Sequence, residues 1–416
     1  MVPRKSHNKL LTEILKIPGN VVSSYQLQST IGIIVKIEPE QQQATCPRCG
    51  HSSQRLHQNH WHLIKDLPLS TQPVYLRVNR RQFKCEHCKK PFSELLDYVN
   101  PKRNYTKRLA HEIVGQVLDS DLRSVADKND VSVEEIQTML KDAGAEYLQE
   151  KPRSIKRLGI DEIALVKGQG NYCAILVDLD SRKPIAILNS RKQSELRKVF
   201  QSWGSGVLHQ IKEVSIDLWK PYKSLVEELM PLAQLVADRF HVMKLVNEEL
   251  DAQRKKFKAQ AQAENNPKEK ARILAALKGS KYALLKNEKE LNESQKLQLE
   301  SIQTIIPPLA KMHQYKEELR DIFETAIDGN DGLWKLIDWL KVTATDFPQS
   351  RSTIIKWFGE IMGYFEQRTT NGVVEGINHK LKLIKRAAYG FRNFGNFRLR
   401  SLLSWYFPAN LAYQVL

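Results

Sequence analysis

A chain of 416 residues, 41% hydrophobic and 27% charged, is long enough to build two or three buried cores and too apolar for a disordered polyelectrolyte. Its 64 lysines and arginines against 47 acids give +17 and a pI of about 9.5, a balance that points to a polyanionic partner, nucleic acid ahead of a membrane surface. A helical bilayer span is excluded because no stretch approaches ~20 apolar residues. The opening MVPRKSHNKLLTEILKIPG lacks the apolar core and cleavage site of a secretion signal, so the chain reads as cytoplasmic.

The positive charge is concentrated. Residues 1–104 carry 16 basic and 7 acidic side chains, residues 379–400 carry 7 basic and none acidic, and the rest is nearly neutral. A merely solubilising surface would spread its charge, so these are two candidate contact regions. In the first, Cys46-Pro-Arg-Cys49 and Cys85-Glu-His-Cys88 are C-x-x-C knuckles separated by 35 residues. In a reducing compartment such a matched pair suits metal thiolates, and four sulfurs close a tetrahedral structural Zn²⁺ site. A redox dithiol needs only one pair. His51, His57, His60, His62 and His87 could replace a thiolate, but four cysteines make that unnecessary. Between the knuckles, residues 73–84 alternate apolar and basic positions as a half-exposed strand does, so residues 1–104 read as a zinc-finger β unit that offers Arg77, Arg81 and Lys84 to phosphate. The fifth cysteine, Cys173, sits in an apolar run and belongs to a core.

Residues 105–152 turn helical. Leu109, Ile113 and Val117 recur at spacings of four, Asp121–Asn129 forms a second segment, and after a turn at Asp130 and Val131 comes Ser132 with Glu135 three residues on, the pattern of a capping box. Ala126 and Ile136 are spaced for the inter-helix contact of a helix-turn-helix. Against that, the turn lacks glycine and the last helix presents Glu134, Glu135 and Gln137, so a plain helical hairpin is the rival.

From residue 153 to 243 the order is βββαβαβα: strands at Arg157–Val166, Tyr172–Leu179 and Pro184–Asn189, a helix at Ser194–Trp203, a strand at Glu213–Leu218, a helix opened by Pro221, a strand at Gln234–Ala237 and a helix from about His241. This is a mixed α/β sheet with helices on its faces. Asp161 and Asp217 lie inside apolar strands, where a carboxylate needs a partner or a cation; a hard ion, Mg²⁺ or Mn²⁺, suits a pair of them. Glu162 alternates to the opposite face from Asp161, and Asp238 is the other acid in a comparable setting. Residues 244–365, broken at Asn265-Asn-Pro267, Ile306-Pro-Pro308 and Gly329-Asn-Asp-Gly332, read as an all-α insertion. In the final part, residues 366–416, Val374, Ile377, Leu381, Ile384 and Ala388 form an apolar helical stripe, with Glu375, Asn378 and Lys382 on the adjacent polar face. Glu375 is the candidate third acid. The following stretch interleaves Lys380, Lys382, Lys385, Arg386, Arg392, Arg398 and Arg400 with Tyr389, Phe391, Phe394 and Phe397, a pattern suited to phosphates and frayed bases unless the aromatics plug a core.

Taken together, the paired knuckles, Gly-Ile-Asp-Glu, Ser-Ile-Asp-Leu-Trp-Lys-Pro-Tyr, Ala-Asp-Arg-Phe-His, Asn-Gly-Val-Val-Glu-Gly-Ile-Asn-His-Lys and Ala-Tyr-Gly-Phe-Arg-Asn-Phe-Gly-Asn-Phe-Arg-Leu-Arg resemble the ISL3 family of bacterial insertion-sequence DDE transposases over nearly the whole chain. The resemblance implies a zinc finger and helix-turn-helix ahead of an RNase H-like core. It further implies that the family's catalytic acids match Asp161, Asp217 and Glu375, and that the enzyme cleaves DNA at transposon ends and joins it to target DNA with a divalent metal. Double-stranded DNA, a homo-oligomeric synaptic complex and a nucleoid location follow from it as expectations. Two rival functions remain: a sequence-specific DNA-binding regulator and a structure-specific nuclease.

Overall fold

The computed structural model describes residues 4–148, 151–164, 172–367 and 372–408, and the chain divides into two units, Met1–Leu148 with Ile384–Leu416, and Gln149–Leu383. Alternation of side chains builds the sheet of the first. Strands β1 (Asn20–Gln28), β2 (Gly32–Pro39), β5 (Leu56–Leu69), β6 (Gln72–Lys84) and β7 (Pro91–Ser93) join in the order β1-β2-β6-β5 with β7 also on β6, while β3 (Ala44–Thr45) and β4 (Ser52–Ser53) make a separate ribbon. Val74, Leu76 and Val78 of β6 turn inward onto Val35, Ile37 and Ile64, which leaves Arg77 exposed on the other face. Only glycine fits at Gly32, where φ is +116° and a Cβ would stand 2.4 Å from the Pro73 carbonyl oxygen.

Three helices follow, Lys107–Asp119, Leu122–Asn129 and Val133–Tyr147. Each start is capped as the sequence prescribes: Thr106 accepts from Leu109 N, Asp121 from Arg123 N and Ser124 N, and Ser132 and Glu135 form a reciprocal capping box. Asp130, at φ 49° and ψ 51°, takes the left-handed position usually given to glycine. Val125, Ala126, Ile136 and Leu140 share one core with Leu109, Ile113 and Val117, and Leu403 of the last helix, Phe394–Tyr406, joins it.

In the second unit the strands β8 (Arg157–Ala164), β9 (Tyr172–Asp178), β10 (Lys183–Leu188), β11 (Glu213–Ile216) and β12 (Gln234–Ala237) lie in the order β10-β9-β8-β11-β12. The first three are antiparallel neighbours, whereas β8, β11 and β12 run parallel. Helices Gln193–Trp203 and Lys220–Leu229 contribute Leu196, Phe200, Tyr222 and Leu225 to a core that also holds Leu158, Ile160, Leu176, Val214 and Val236. The sequence-predicted order of elements is observed with one addition, the short helix Ser205–Leu208, and several boundaries shift by one or two residues: β11 ends at Ile216 and not Leu218, and the helices flanking β12 begin at Lys220 and Arg239.

Residues beyond Asp238 form helices Arg239–Gln262, Pro267–Leu277, Ser280–Leu285, Glu293–Ile305, Pro307–Thr325, Gly329–Val342, Pro348–Lys356 and Phe358–Gln367, then Gly372–Ala387. Pro267 and Pro307 stand at helix starts, where a missing N–H costs nothing. Gly329–Gly332, expected as a break, is instead the first turn of a helix whose cap, Asp328, accepts from Asp331 N. These helices do not form a separate core: Leu309, Phe323, Leu336 and Phe365 belong to the same apolar cluster as the sheet. Gly363 faces β12, where a Cβ would meet the Leu235 carbonyl oxygen at 2.9 Å.

Gly332 gives a test of this packing. A Cβ there would sit 2.6–2.9 Å from three ring atoms of Phe365, so Gly332→Ala is expected to cost about 1–3 kcal/mol through overpacking and to lower the melting temperature. Gly359→Ala meets nothing within 4 Å and should be neutral or slightly stabilising.

Candidate active site and metal centre

Strand register sets the geometry of the acidic site. Ile160 of β8 is paired with Ile216 of β11, and Ile216 with Ala237 of β12. The next residue along each of the three parallel strands is an aspartate: Asp161, Asp217 and Asp238. Three carboxylates are therefore brought abreast at one edge of the sheet, just past the end of β11 and β12, the edge where open α/β sheets hold ligands.

Each acid has different company. Asp161 is nearly buried; its Oδ1 accepts from Glu162 N at 2.6 Å and its Oδ2 from Asn378 Nδ2 at 2.7 Å. Asp238 caps the helix Arg239–Gln262 and holds His241 Nδ1 at 3.0 Å. That nitrogen is also 3.0 Å from Asp217 Oδ1, yet the contact lacks hydrogen-bond geometry, and Asp217 Oδ1 is buried without a hydrogen-bond partner among the described residues. A buried carboxylate oxygen left unsatisfied is costly. Burial, followed by the charge of Asp161, pushes Asp217 up to about 8, and burial likewise raises Asp161. Burial alone would pull His241 down, but its bond to Asp238 and the charges of Asp217 and Asp161 hold it above the usual imidazole range. Oxygen and nitrogen atoms of Asp161, Asp217 and His241 lie within 4.8 Å of one another. A divalent cation fits this set: it would supply the partner that Asp217 Oδ1 lacks and reverse the electrostatics that disfavour ionisation of both acids.

Glu375 is exposed, in the first turn of helix Gly372–Ala387. It lines a cavity of about 520 Å³ together with Asp161, Glu162, Asp238, His241 and Lys382. Among the described residues it is not part of the 4.8 Å cluster. Glu162 also reaches this cavity although strand alternation puts it on the face opposite Asp161; it accepts from Arg191 Nη1 at 2.7 Å and from Tyr222 Oη at 3.1 Å. Arg191 in turn lies over the rings of Tyr172 and Trp219, 4.6 and 4.8 Å from their centroids. His241 and Asn378 were not singled out as site residues from sequence. Their signal was local: Asp238 with His241, and Glu375 with Asn378, are each three residues apart on one helix face.

The cysteine knuckles converge. Cys46, Cys49, Cys85 and Cys88 place their sulfurs within 4.8 Å of one another, with Cys46–Cys88 at 3.8 Å and Cys49–Cys85 at 3.5 Å. A tetrahedron with Zn–S of ~2.3 Å has edges of about 3.8 Å. Backbone N–H groups led by that of Cys88 bring Cys85 down to about 7. Cys49 receives a similar bond from the backbone at His51, but burial and three neighbouring sulfurs drive it up to about 11; four crowded thiols do not all ionise without a cation. His51 and His87 stack with centroids 3.9 Å apart beside Cys49.

Two of the basic residues expected on DNA are structural. Arg81 is buried and grips Glu94 through Nε and Nη2 at 3.0 and 2.7 Å, while its Nη2 also donates to the Gln41 carbonyl. Arg400 is 1% exposed, donates to the Ser120 carbonyl and lies over the Phe391 ring. Neither can reach a phosphate. Arg77, Lys380, Lys382, Arg386, Arg392 and Arg398 are exposed, and Lys84 and Lys385 half-buried. Of the interleaved aromatics, Phe397 is buried against Phe391 and Phe394, whereas Tyr389 is 89% exposed.

A sulfur-bound zinc ribbon and, in a separate unit, an acidic cleft on a mixed sheet describe a modular metalloenzyme. Residues 158–401 match the family model of the ISL3 DDE transposases, described as a transposase, and residues 42–88 match one described as the zinc-finger of transposase IS204/IS1001/IS1096/IS1165. The chain belongs to the ISL3 family of DDE transposases, enzymes of DNA cleavage and strand transfer. It is 26% identical to the transposase for insertion sequence element IS1001 of Bordetella parapertussis over 94% of this chain and 93% of that one. It is also 30% identical to the transposase for IS1557 of Mycobacterium tuberculosis over 58% of each. The Drosophila P element transposase strand transfer complex is a structural neighbour at 13% identity, covering 73% of this chain and 93% of that one with a TM-score of 0.38. No helix among the described residues is long and apolar enough to cross a membrane.

For the ribbon the expected outcome is one zinc per chain by elemental analysis. Chelation or Cys46→Ser should unfold the β3–β4 ribbon, because coordination free energy is folding free energy in units of this size. A metal-free preparation with unchanged amide exchange at Cys46–His51 would overturn it.

Proposed function

We propose that this transposase binds the ends of its insertion sequence through the N-terminal unit and cleaves and joins DNA at Asp161, Asp217 and Glu375 with Mg²⁺ or Mn²⁺. The observation that carries the reading is the register of β8 and β11, which sets Asp161 beside Asp217 and leaves Asp217 Oδ1 buried and unpartnered. The strand order β10-β9-β8-β11-β12 supports an RNase H-like core. The three capped helices at 107–147, with a left-handed residue at the second turn, support a helix-turn-helix. In this division residues 1–104 are the zinc-finger domain, 105–152 the helix-turn-helix, 153–243 and 366–416 the catalytic core with its basic tail, and 244–365 the helical insertion. Arg77, Lys84, Lys380, Lys382, Lys385, Arg386, Arg392 and Arg398 are the proposed DNA contacts, and a homo-oligomer on paired ends, in the nucleoid, is the proposed working state.

Bound divalent metal would activate the attacking oxygen and stabilise the leaving one in an in-line displacement. The side chains do the rest. Asn378 fixes one oxygen of Asp161 by its 2.7 Å bond, so that carboxylate presents a single geometry. Asp238 orients His241, and Lys382 on the cavity wall is placed to neutralise a phosphate. In the first reaction water attacks phosphorus and the 3′ oxygen of the transposon end leaves; in the second that 3′-OH attacks a target phosphodiester and the target's own 3′ oxygen leaves.

Asp161→Asn, Asp217→Asn and Glu375→Gln are each expected to lower release of a labelled end by at least about a hundredfold while binding of end DNA changes less than about threefold. Strand-transfer products separate a transposase from a nuclease, and full cutting by all three variants sinks the assignment.

The raised aspartate adds a pH test. An unfolded aspartate ionises at the ordinary value of 3.8, Asp217 in the metal-free fold at about 8. Between those values the folded state holds more protons, so Asp217 lowers metal-free stability as pH rises through that window. Asp217→Asn should therefore melt above wild type at pH 9 in chelator, with the gap closing toward pH 4. Added Mn²⁺ should raise the wild-type melting point more than that of the variant.

A further inference from the structure

A second cavity of about 520 Å³ runs along helix Arg239–Gln262. It shares the lining residues Phe240, Met243, Lys244 and Arg320 with the acidic cavity, so the two adjoin. We propose that this groove receives one unpaired nucleotide of the DNA strand next to the scissile phosphate, with its base stacked on Phe240; the proposal rests on the reading of the adjoining acids as the cleavage site.

The size falls among sites for small molecules, about 300–1,000 Å³. Phe240, Met243 and Leu285 make its apolar surface, and Lys244, Lys255, Lys281 and Arg320 surround it with cations. Two acids also line it, Asp251, paired with Arg254 and Lys255, and exposed Glu248, 4.0 Å from Lys244, so those lysines are partly neutralised and the lining keeps only a net positive charge. Phe240 stands one residue before His241 and is 54% exposed, an aromatic face left in water at the mouth of the site. Asn247, on the groove's wall, has a buried Oδ1 with no hydrogen-bond partner among the described residues, and Arg320 Nε is 3.3 Å from Glu317 Oε2. An exposed aromatic plane, an unsatisfied amide oxygen and a net positive lining are the chemistry that holds an unstacked base and its phosphate. A peptide or lipid tail would use the apolar surface and waste the cations. The shared wall with the acidic cavity explains the location: unstacking the base beside the scissile bond lets the backbone turn toward the acids, and stacking on Phe240 offsets part of the cost.

The test is a binding cycle without added divalent metal, using DNA that carries the element's end. Wild type, Phe240→Ala and Phe240→Trp are each titrated with DNA that is intact or abasic at every position flanking the cleavage junction. At one position, Phe240→Ala should weaken binding of intact DNA by about 5- to 150-fold, the worth of one stacked base. It should have no effect on the abasic form, and Phe240→Trp should stay close to wild type. A loss equal on intact and abasic DNA at every position, or no loss at all, overturns the groove assignment, whether or not the variant is destabilised. If wild type binds and cuts the ends but shows no such coupling, the groove alone is misassigned. If wild type neither binds nor cuts them, both readings fall.

Discussion

Two aspartates on neighbouring parallel strands, with too little water to keep both ionised, are the constraint around which the second unit is organised. The pairing of Ile160 with Ile216 cannot slip by one residue without turning Ile160, Ile216 and Val214 out of the core. Hydrophobic register thus holds the acids together against their own repulsion, and burial followed by that repulsion pushes Asp217 up to about 8. The surroundings soften the strain without removing it: Asn378 donates to Asp161 and His241 bridges toward Asp217 and Asp238. A site that is electrostatically incomplete on its own is suited to a cation that would relieve the strain, and the apolar strands supply the energy that maintains it.

The ribbon applies the same physics to softer atoms. Backbone N–H groups at Cys88 and His87 lower Cys85, while Cys49 is driven in the opposite direction by burial and by sulfurs 3.5 Å and more away. Oxygen donors around a partly open cavity suit a hard, exchangeable ion, and four enclosed thiolates suit one that stays. The two candidate metal sites thus differ in donor type and in enclosure.

Much of this was legible in the sequence where the signal is local. Ser132 with Glu135 and the alternation through Val74, Leu76 and Val78 state their structure within a few residues, and each appears as written. Asp161 stood out because it interrupts an apolar strand. What local patterns do not carry is partnership at a distance. Arg81 and Arg400 sit in basic stretches that read as DNA-binding surface, but their charges are spent inside, on Glu94 and on the Ser120 carbonyl 280 positions away. The stretch Gly329–Gly332 read as a break because its composition favours turns, while the deciding fact is that Asp328 caps a helix there. That Asp161, Asp217 and Asp238 stand abreast follows from sheet order, which no single segment contains.

Glu375 shows the limit most clearly. It lies 158 positions beyond Asp217, and the intervening helices are what return the chain to the sheet. They do so as part of the sheet's own core: Phe323 stacks on Phe365, and Gly363 permits the helix Phe358–Gln367 to approach the backbone of β12. The next helix is then tied to the site by Asn378, whose bond to Asp161 spans 217 positions. Glu375 and Asn378, three residues apart, share a helix face, so the bond that fixes Asp161 also brings Glu375 to the cavity wall. Contacts of such long sequence separation pay their loop-closure entropy before they are rewarded. The acidic site is consequently a property of the finished fold: β8 and β11 hold two of its acids, and the wall carrying Glu375 depends on the packing of the helical segment between them.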